Sequence, residues 1–311
     1  MALTITPPKG WFPVRVLTSN VGNVCLKCRG RYNNKLCKSS IEREISLNIK
    51  NLKPDIIFFQ ELLHPDQCEG WAEQDTDLVC FDNSPLKIKI QPRRLLGDNY
   101  SIACFSRMRR KIGHHVGLEC IAVHKDIGHI EFCGIGNLCI NIGRDDIVKE
   151  KCNPEFIVSS VVAYINNVRV TLINAHTHSR NQKCCMSSIN QIFKGNYGES
   201  PLASKEYTII AGDFNFDPFR DKSNLLDVWN EFVGEFGSSR PFYYHSGPAE
   251  KKPPYPTVFN IFNQKTVDHV LSNFAFGSCL TLGEAPKTIR LDGGHGTDHR
   301  AVVGDLWIPQ Q

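Results

Sequence analysis

The chain has 311 residues, 41% of them hydrophobic, and its formal net charge is +4 at pH 7. This length and composition can bury a sizeable core, while so small a charge excludes an argument for nucleic-acid or membrane binding from bulk charge alone. No segment approaches the roughly 20 apolar residues of a membrane span. The first residues, MALTITPPKGW, lack the basic region and long apolar core of a secretory signal. We therefore expect an intracellular protein, cytoplasmic or nuclear, whose 13 cysteines are mostly free thiols.

Apolar runs of strand length alternate with helix-like periodicity along the whole chain. A Pro-containing tail, 1–13, precedes the first run, and no linker is long enough to separate two domains, so we expect one domain over 14–309. The predicted strands, in chain order, are 14–20, 55–60, 100–105, 117–124, 157–165, 168–174, 207–211, 267–271 and 301–307. Helices are predicted from Ser39 to the residues before Pro54, at 185–193 and at 225–236, and a tight turn at Asn166 and Asn167. This mixture of strand pairs and strand–helix alternation predicts an α/β fold with two packed sheets and helices outside.

Six strand-like runs carry Asn, Glu, His or Asp side chains at one end. The segments are TSN (18–20), FFQE (58–61), NAH (174–176), GDFN (212–215), VDH (267–269) and TDH (297–299), with GDN (97–99) as a weaker seventh. One polar residue after a strand is ordinary turn chemistry. Six such ends with ligand-type side chains predict a shared edge where they meet. The combination suits a divalent metal ion and a phosphate ester, and therefore indicates an enzyme.

The GDFN segment offers two side chains for chemistry at the end of a buried strand. Asp213 and Asn215 point to the same side if the chain stays extended. The carboxylate is suited to orienting a water nucleophile, and the amide to binding that water or a phosphate oxygen. A generic turn is the alternative interpretation of the same four residues.

Glu61 follows an unbroken apolar strand, where a carboxylate is costly unless it is solvated, paired or bound to a metal. Mg²⁺ prefers one or two carboxylates and keeps its other positions for water and substrate oxygen. The metal-side candidates are Glu61 and Asp298, with Asn20 as a neutral helper. The alternative is that Glu61 is simply the first solvated residue after its strand.

His299 and Asp268 are candidates for a pair in which the carboxylate fixes the imidazole tautomer and favours its charged form. Such a histidine can bind or protonate a phosphate oxygen, and His176 can act in the same way from the other side. With 11 histidines in the chain, chance placement at strand ends is the alternative. A zinc site built on His176 and His178 lacks a clear ligand set.

In this order, SN, QE, NAH, GDFN, VDH and TDH resemble the endonuclease/exonuclease/phosphatase superfamily over 14–307. That superfamily includes pancreatic-type deoxyribonucleases, abasic-site endonucleases, neutral sphingomyelinases, inositol polyphosphate 5-phosphatases and deadenylases. The resemblance implies a four-layer α/β/β/α sandwich of two mixed sheets. It also implies that the domain over 14–309 is catalytic and cleaves a phosphate ester with Mg²⁺, or alternatively Mn²⁺.

The resemblance also implies roles for individual residues, which match the family motifs position by position. The roles are metal binding for Asn20, Glu61 and Asp298, orientation of the nucleophile for Asp213 and Asn215, an Asp–His pair for Asp268 and His299, and contact with the phosphoryl group for His176. Abasic-site endonucleases lack the last histidine, which disfavours that branch. Thr297 keeps a hydroxyl where Ser is common, and His269 stands where a Tyr or an apolar residue is usual.

The substrate is less well determined by the sequence than the chemistry. The segment after Asn20 carries five basic residues, Lys27, Arg29, Arg31, Lys35 and Lys38, which favour nucleic acid as the partner of a monomeric enzyme. A phospholipid-directed enzyme, similar to sphingomyelinases or 5-phosphatases, and a catalytically silent binding module are the alternatives. The same segment contains Cys25, Cys28 and Cys37, for which a zinc-bound loop and free thiols are both open.

Overall fold

The computed structural model describes residues 9–22, 39–62, 91–108, 115–131, 158–178, 181–195, 200–203, 207–221, 224–234, 238–244, 256–259, 264–273, 288–293 and 297–309. The helices are α1 (Ser39–Leu52), α2 (Gln91–Leu96), α3 (Gln182–Phe193) and α4 (Asn224–Phe232), with a 3₁₀ turn at Gly97–Asn99. The strands are β1 (Trp11–Asn20), β2 (Ile56–Leu62), β3 (Tyr100–Met108), β4 (His115–His124), β5 (Gly128–Ile130), β6 (Val158–Ile165), β7 (Val168–His176), β8 (Thr208–Asp213), β9 (Val233–Gly234), β10 (Phe242–Tyr244), β11 (Val258–Phe259), β12 (Gln264–Lys265), β13 (Asp268–Ser272), β14 (Thr288–Ile289) and β15 (Ala301–Pro309).

The strands form two mixed sheets and a short separate ribbon of β11 and β12. The first sheet has the order β14-β15-β1-β2-β4-β3, and the second has the order β5-β6-β7-β8-β13-β10-β9. One apolar layer packs between the sheets, a second joins α1 to the first sheet, and a third joins α3 and α4 to the second sheet. This arrangement confirms the predicted four-layer α/β/β/α sandwich, while the bounds 14–309 of a single domain stay a prediction.

Strand β2 shows why the sequence builds these layers. Ile56 and Phe58 face the layer between the sheets, whereas Ile57 and Phe59 face α1, and all four are fully buried. A strand covered on both faces needs a continuous apolar run rather than an alternating one.

Each sheet contains one parallel strand pair joined through a helix, and these pairs set the position of the site. β1 runs parallel to β2 through α1, and β7 runs parallel to β8 through α3. The carboxyl ends of these strands carry Asn20, Glu61, His176 and Asp213. β13 and β15 run antiparallel to their neighbours, so their first residues reach the same edge.

Two sequence-based expectations are wrong because of how the strands pair. The GDN segment, 97–99, lies at the opposite edge, because β3 begins at Tyr100 opposite His124, where β4 ends. The helix predicted over 225–236 ends at Phe232, because Val233 pairs with Phe242 in the second sheet.

The expectation of mostly free thiols is wrong for the cysteines that the structure describes. Cys104 and Cys120 lie directly opposite each other on β3 and β4, with Cα atoms 4.2 Å apart, and form a disulfide. Cys184 is also disulfide-bonded, and Cys185 is a free, buried thiol. Cys25, Cys28 and Cys37 lie outside the described residues. Within the described ranges no helix is both long and apolar enough to cross a membrane, and the expected cytoplasmic or nuclear location stays a prediction.

Candidate active site

The polar strand ends converge on Asp213, the last residue of β8. The Nδ2 amide of Asn20 donates to Asp213 Oδ2 at 3.0 Å. The same oxygen lies 3.6 Å from His299 Nε2 and 3.9 Å from His176 Nε2. Side chains from both sheets therefore surround one carboxylate that is only 1% exposed.

Two further carboxylates flank this centre. Glu61 Oε1 lies 3.6 Å from His176 Nε2, and Asp298 Oδ1 lies 3.9 Å from His299 Nε2. Carboxylates and imidazoles thus alternate across the edge, from Glu61 through Asp213 to Asp298. The outer side chains are 24% and 46% exposed, so the cluster is buried at its centre and open at its ends.

The turn after β8 aims Asp213 at its neighbours. Gly212 has φ +150, and a Cβ atom there would collide with the carbonyl oxygen of Ala175 on β7, so the position requires glycine. Asn215 adopts a left-handed φ of 48 and donates its backbone N–H to Asp213 Oδ1 at 2.8 Å. The chain therefore turns instead of staying extended, and the side-chain amide of Asn215 donates to Thr177 O at 2.8 Å.

Asp268 and His299 form the predicted pair. His299 Nδ1 lies 2.9 Å from Asp268 Oδ2, and Asp268 is fully buried. Burial lowers the pKa of His299, but Asp268 and Asp213 together outweigh it and raise that pKa to about 10. At neutral pH His299 is therefore an imidazolium that donates to Asp268 and presents Nε2–H toward Asp213.

Asp213 is a carboxylate of unusual basicity. Burial raises its pKa to about 6, against the favourable charge of His299 and the hydrogen bond from Asn20. It is therefore ionised at neutral pH, yet far closer to proton uptake than an ordinary aspartate.

A second carboxylate–imidazole pair was missed by the sequence-based prediction. Glu119 on β4 lies with Oε1 2.9 Å from His176 Nδ1, and both side chains are 1% exposed. The available signal was a single acid inside the apolar run of β4, where an unpaired carboxylate is costly. His176 thus resembles His299, since each imidazole has a carboxylate behind it and Asp213 in front.

An amide bridge between the sheets lies directly behind the site, and it too was missed. Gln60 Nε2 donates to Asn174 Oδ1 at 2.7 Å and to Thr18 Oγ1 at 3.2 Å. The Asn174 amide donates in turn to Phe59 O at 2.9 Å. Because Gln60 precedes Glu61 and Asn174 lies two residues before the imidazole on β7, the bridge ties the two halves of the edge together.

Thr297 connects the last site segment to the first. Its hydroxyl donates to Asn20 O at 3.0 Å and accepts from the backbone N–H of His299 at 3.0 Å. The Thr297 N–H donates to the buried carboxylate of Asp292 at 2.7 Å. The hydroxyl of Thr297 therefore ties the last site segment to the first.

His269 packs away from the cluster. Its ring is fully buried, with centroids 5.5 Å from Trp229, 5.7 Å from Phe214 and 5.8 Å from Tyr244. Burial lowers its pKa to about 4, so this imidazole is neutral at physiological pH. His269 therefore packs against α4, and it adds no group to the site.

The donor set is suited to a cation. Among the described residues, Asp213, Asp268 and His299 each offer a ligand atom within 4.8 Å of the others. A metal requires deprotonated ligands, and in the metal-free protein the raised pKa of His299 favours the charged imidazolium. The more open carboxylate of Glu61 is the better candidate, and oxygen-rich sites of this kind suit Mg²⁺.

The sequence matches no family model and none of the curated proteins. Solved structures do match over nearly the whole chain. An endonuclease/exonuclease/phosphatase protein from Bacteroides vulgatus is 15% identical, with a TM-score of 0.57, over 95% of this chain and 98% of that chain. A family protein from Leptotrichia buccalis is 15% identical, with a TM-score of 0.55, over 94% and 98%. ANGEL2, a 2′,3′-cyclic phosphatase, is 12% identical, with a TM-score of 0.53, over 96% of each chain. These likenesses confirm the resemblance at the level of the fold.

Proposed function

We propose that this protein is a phosphoesterase that depends on a divalent metal ion and cleaves a phosphodiester by in-line attack of water. The observation that carries the proposal is the position of Asp213, buried between two imidazoles that each have a second carboxylate behind them. The fold shared with endonuclease/exonuclease/phosphatase proteins supports the same chemistry.

The residues present fit a hydrated Mg²⁺ ion, with Mn²⁺ as an alternative. Five carboxylates lie around two imidazoles, so negative charge remains even when both imidazoles are protonated. Glu61 would be the main ligand, with Asn20 and Asp298 as helpers. When bound, such an ion neutralises charge on a phosphoryl oxygen and on the leaving group.

Asp213 orients the attacking water and accepts its proton. With a pKa of about 6, the carboxylate is ionised at neutral pH and still basic enough to take up a proton during attack. The turn at Asn215 and the amide of Asn20 hold its two oxygens in place.

The two imidazoles stabilise the phosphoryl oxygens as negative charge develops. His299 donates from Nε2, because Asp268 holds its Nδ1 and keeps the ring charged. His176 donates from the other side, with Glu119 holding its Nδ1. Donors fixed in advance lower the barrier without reorganisation during the reaction.

Nucleic acid is the leading substrate in this proposal. Five basic residues lie between Asn20 and Ser39 in the sequence, and Asn20 itself contacts Asp213. The phosphodiester backbone of a nucleic acid binds lysine and arginine side chains, and this binding weakens as the salt concentration rises. ANGEL2 has the same fold and was solved with adenosine-2′,3′-vanadate, which supports a nucleotide phosphodiester.

A substrate panel tests this proposal. Duplex DNA, RNA, sphingomyelin and inositol polyphosphates are incubated with the metal-stripped protein, then with added Mg²⁺ or Mn²⁺. We expect hydrolysis of nucleic acid that requires the metal and weakens with salt. Turnover of only a lipid or inositol phosphate would replace the substrate, and undiminished turnover with EDTA would refute the metal dependence.

A further inference from the structure

Gly22 and the side chain of Glu61 occupy one space at the edge of the site. Beyond β1, the N–H of Val21 donates to Gln60 O at 3.0 Å, which keeps the chain beside β2 for two more residues. A Cβ atom at Gly22 would lie closer than 3.0 Å to Oε2, Cβ and Cδ of Glu61. The carboxylate of Glu61 therefore lies where any other residue at position 22 would place its side chain.

Gly22 is held in this position from its own side. Its N–H donates to Asn20 Oδ1 at 2.9 Å, and the other end of that amide donates to Asp213. The hydroxyl of Thr297 fixes the carbonyl of Asn20 at 3.0 Å. Any movement of Gly22 away from Glu61 would therefore disturb the amide that orients Asp213.

Glu61 is held equally firmly from the other side. Its φ of 61 lies in the left-handed region, which is uncommon and strained for a residue other than glycine. The register of β2 against β4 shifts between Phe59 and Leu62, so this residue sits in a bulge that turns its side chain toward His176. Gln60, immediately before it, is bound to Asn174 at 2.7 Å.

We infer that Gly22 is a positioning residue for the metal-binding carboxylate: the lack of a side chain at position 22 allows Glu61 to stand in the site. An added methyl group would collide with Cβ of Glu61 as well as with its carboxylate, so rotation of the side chain alone cannot accommodate it. The backbone of Glu61 or of Gly22 must shift, and the carboxylate is displaced with it. This inference rests on the proposed function, because that proposal makes Glu61 the main metal ligand.

One methyl group tests the inference. Gly22→Ala is compared with Gly234→Ala, in which the atoms nearest to the new Cβ belong to the side chains of Ser238 and Arg240. Neither glycine has a left-handed φ, so the φ angle itself disfavours neither alanine variant. Calorimetric titration of the metal-stripped proteins with Mg²⁺ should give an affinity about 10- to 100-fold weaker for Gly22→Ala. Gly234→Ala should bind as the wild-type protein does.

A second readout needs neither metal nor activity. In the metal-free protein, Gly22→Ala should lower the Tm, whereas in a Glu61→Gly background it should lower the Tm hardly at all. Glu61→Gly removes both the colliding side chain and the left-handed strain, so the two changes are coupled.

Unchanged Mg²⁺ affinity in Gly22→Ala, or equal losses of Tm in both backgrounds, would overturn the inference. Absence of Mg²⁺ binding by the wild-type protein would count instead against the proposed function. The Tm cycle would then still decide whether Gly22 holds Glu61 in place.

Discussion

Strand β1 contributes to two clusters of charged side chains, through Arg15 and, five residues later, through Asn20, and the two clusters are built in different ways. In the first, which we name the Arg15 clamp, the guanidinium of Arg15 binds both oxygens of Asp305 at 2.9 and 3.0 Å. Its third nitrogen donates to Leu52 O at the end of α1, and its backbone N–H donates to Asp55 at 2.7 Å. Two carboxylates and a helix carboxyl end are thus satisfied by one arginine.

The site around Asp213 assembles carboxylates without such a match. Five of them share two imidazoles, and burial raises the pKa of Asp213 to about 6. The two clusters differ in geometry, because one guanidinium holds a carboxylate by both oxygens in the clamp, whereas five carboxylates share two imidazoles in the site. Removing a carboxylate should therefore have opposite effects on stability in the two places.

The largest effect is expected from neutralising the centre of the site. Asp213→Asn should lower phosphodiester turnover by about a thousandfold or more, the scale of a lost general base. Circular dichroism and thermal unfolding of the metal-free protein at neutral pH should show a retained fold and a Tm no lower than wild type. The reason is that the ionised form of Asp213 is disfavoured by its burial. Turnover within tenfold of wild type would remove Asp213 from its assigned role.

Removing a carboxylate from the Arg15 clamp should lower stability and leave activity unchanged. Asp305→Ala removes the carboxylate that binds the guanidinium of Arg15 through two hydrogen bonds, and should lower the free energy of unfolding by about 3 kcal/mol in urea titrations. Mg²⁺ affinity and turnover, measured well below the Tm, should stay at wild-type values. Replacing both partners, as in Arg15→Met with Asp305→Leu, should restore most of the loss. A double variant no more stable than the single one would show that the clamp is more than a charge pair.

The features that the sequence predicted leave a local pattern in the chain, whereas the features that it missed depend on how distant strands pair. The apolar run at 55–60 predicted a strand that the structure has at Ile56–Leu62, because burial on both faces of a strand leaves a local signature. Convergence of Asn20, Asp213 and His299 was predictable for a related reason, since each ends or begins a strand at one edge.

Features that depend on register escaped prediction. Glu119 serves the site only because β4 runs antiparallel beside β2, and no local pattern states which face its side chain takes. The bond between Gln60 and Asn174 joins residues 114 positions apart. The disulfide of Cys104 and Cys120 likewise follows from the pairing of β3 with β4, which the composition alone could not disclose.

A smaller effect on stability is expected from adding Mg²⁺ to the metal-stripped protein. Mg²⁺ at about 100 times its Kd should raise the free energy of unfolding by about 2.7 kcal/mol if it binds only the folded protein. Differential scanning fluorimetry of the metal-stripped protein measures the accompanying rise in Tm. Glu61→Gln should abolish the rise, and Asp305→Ala should retain it despite its lower starting Tm. An equal rise in Glu61→Gln would place the ion elsewhere.

The smallest effect should appear in the pH dependence of stability without metal. The folded pKa of Asp213, about 6, exceeds its ordinary 3.8, so its contribution is present below pH 3.8 and is lost as the pH rises through 6. The folded pKa of His299, about 10, exceeds 6.5, so its contribution is present below pH 6.5 and is lost as the pH rises through 10. Urea unfolding across this range should show both declines, with Asp213→Asn reducing the first and His299→Gln removing the second. Burial also raises the pKa of Asp55 in the Arg15 clamp, so Asp55 adds to the decline above pH 3.8 and the first decline should not vanish in Asp213→Asn. Asp305→Ala should shift the whole curve downward and keep both declines. An undiminished first decline in Asp213→Asn would show that the decline comes from other groups, and that the raised pKa is not centred on this carboxylate.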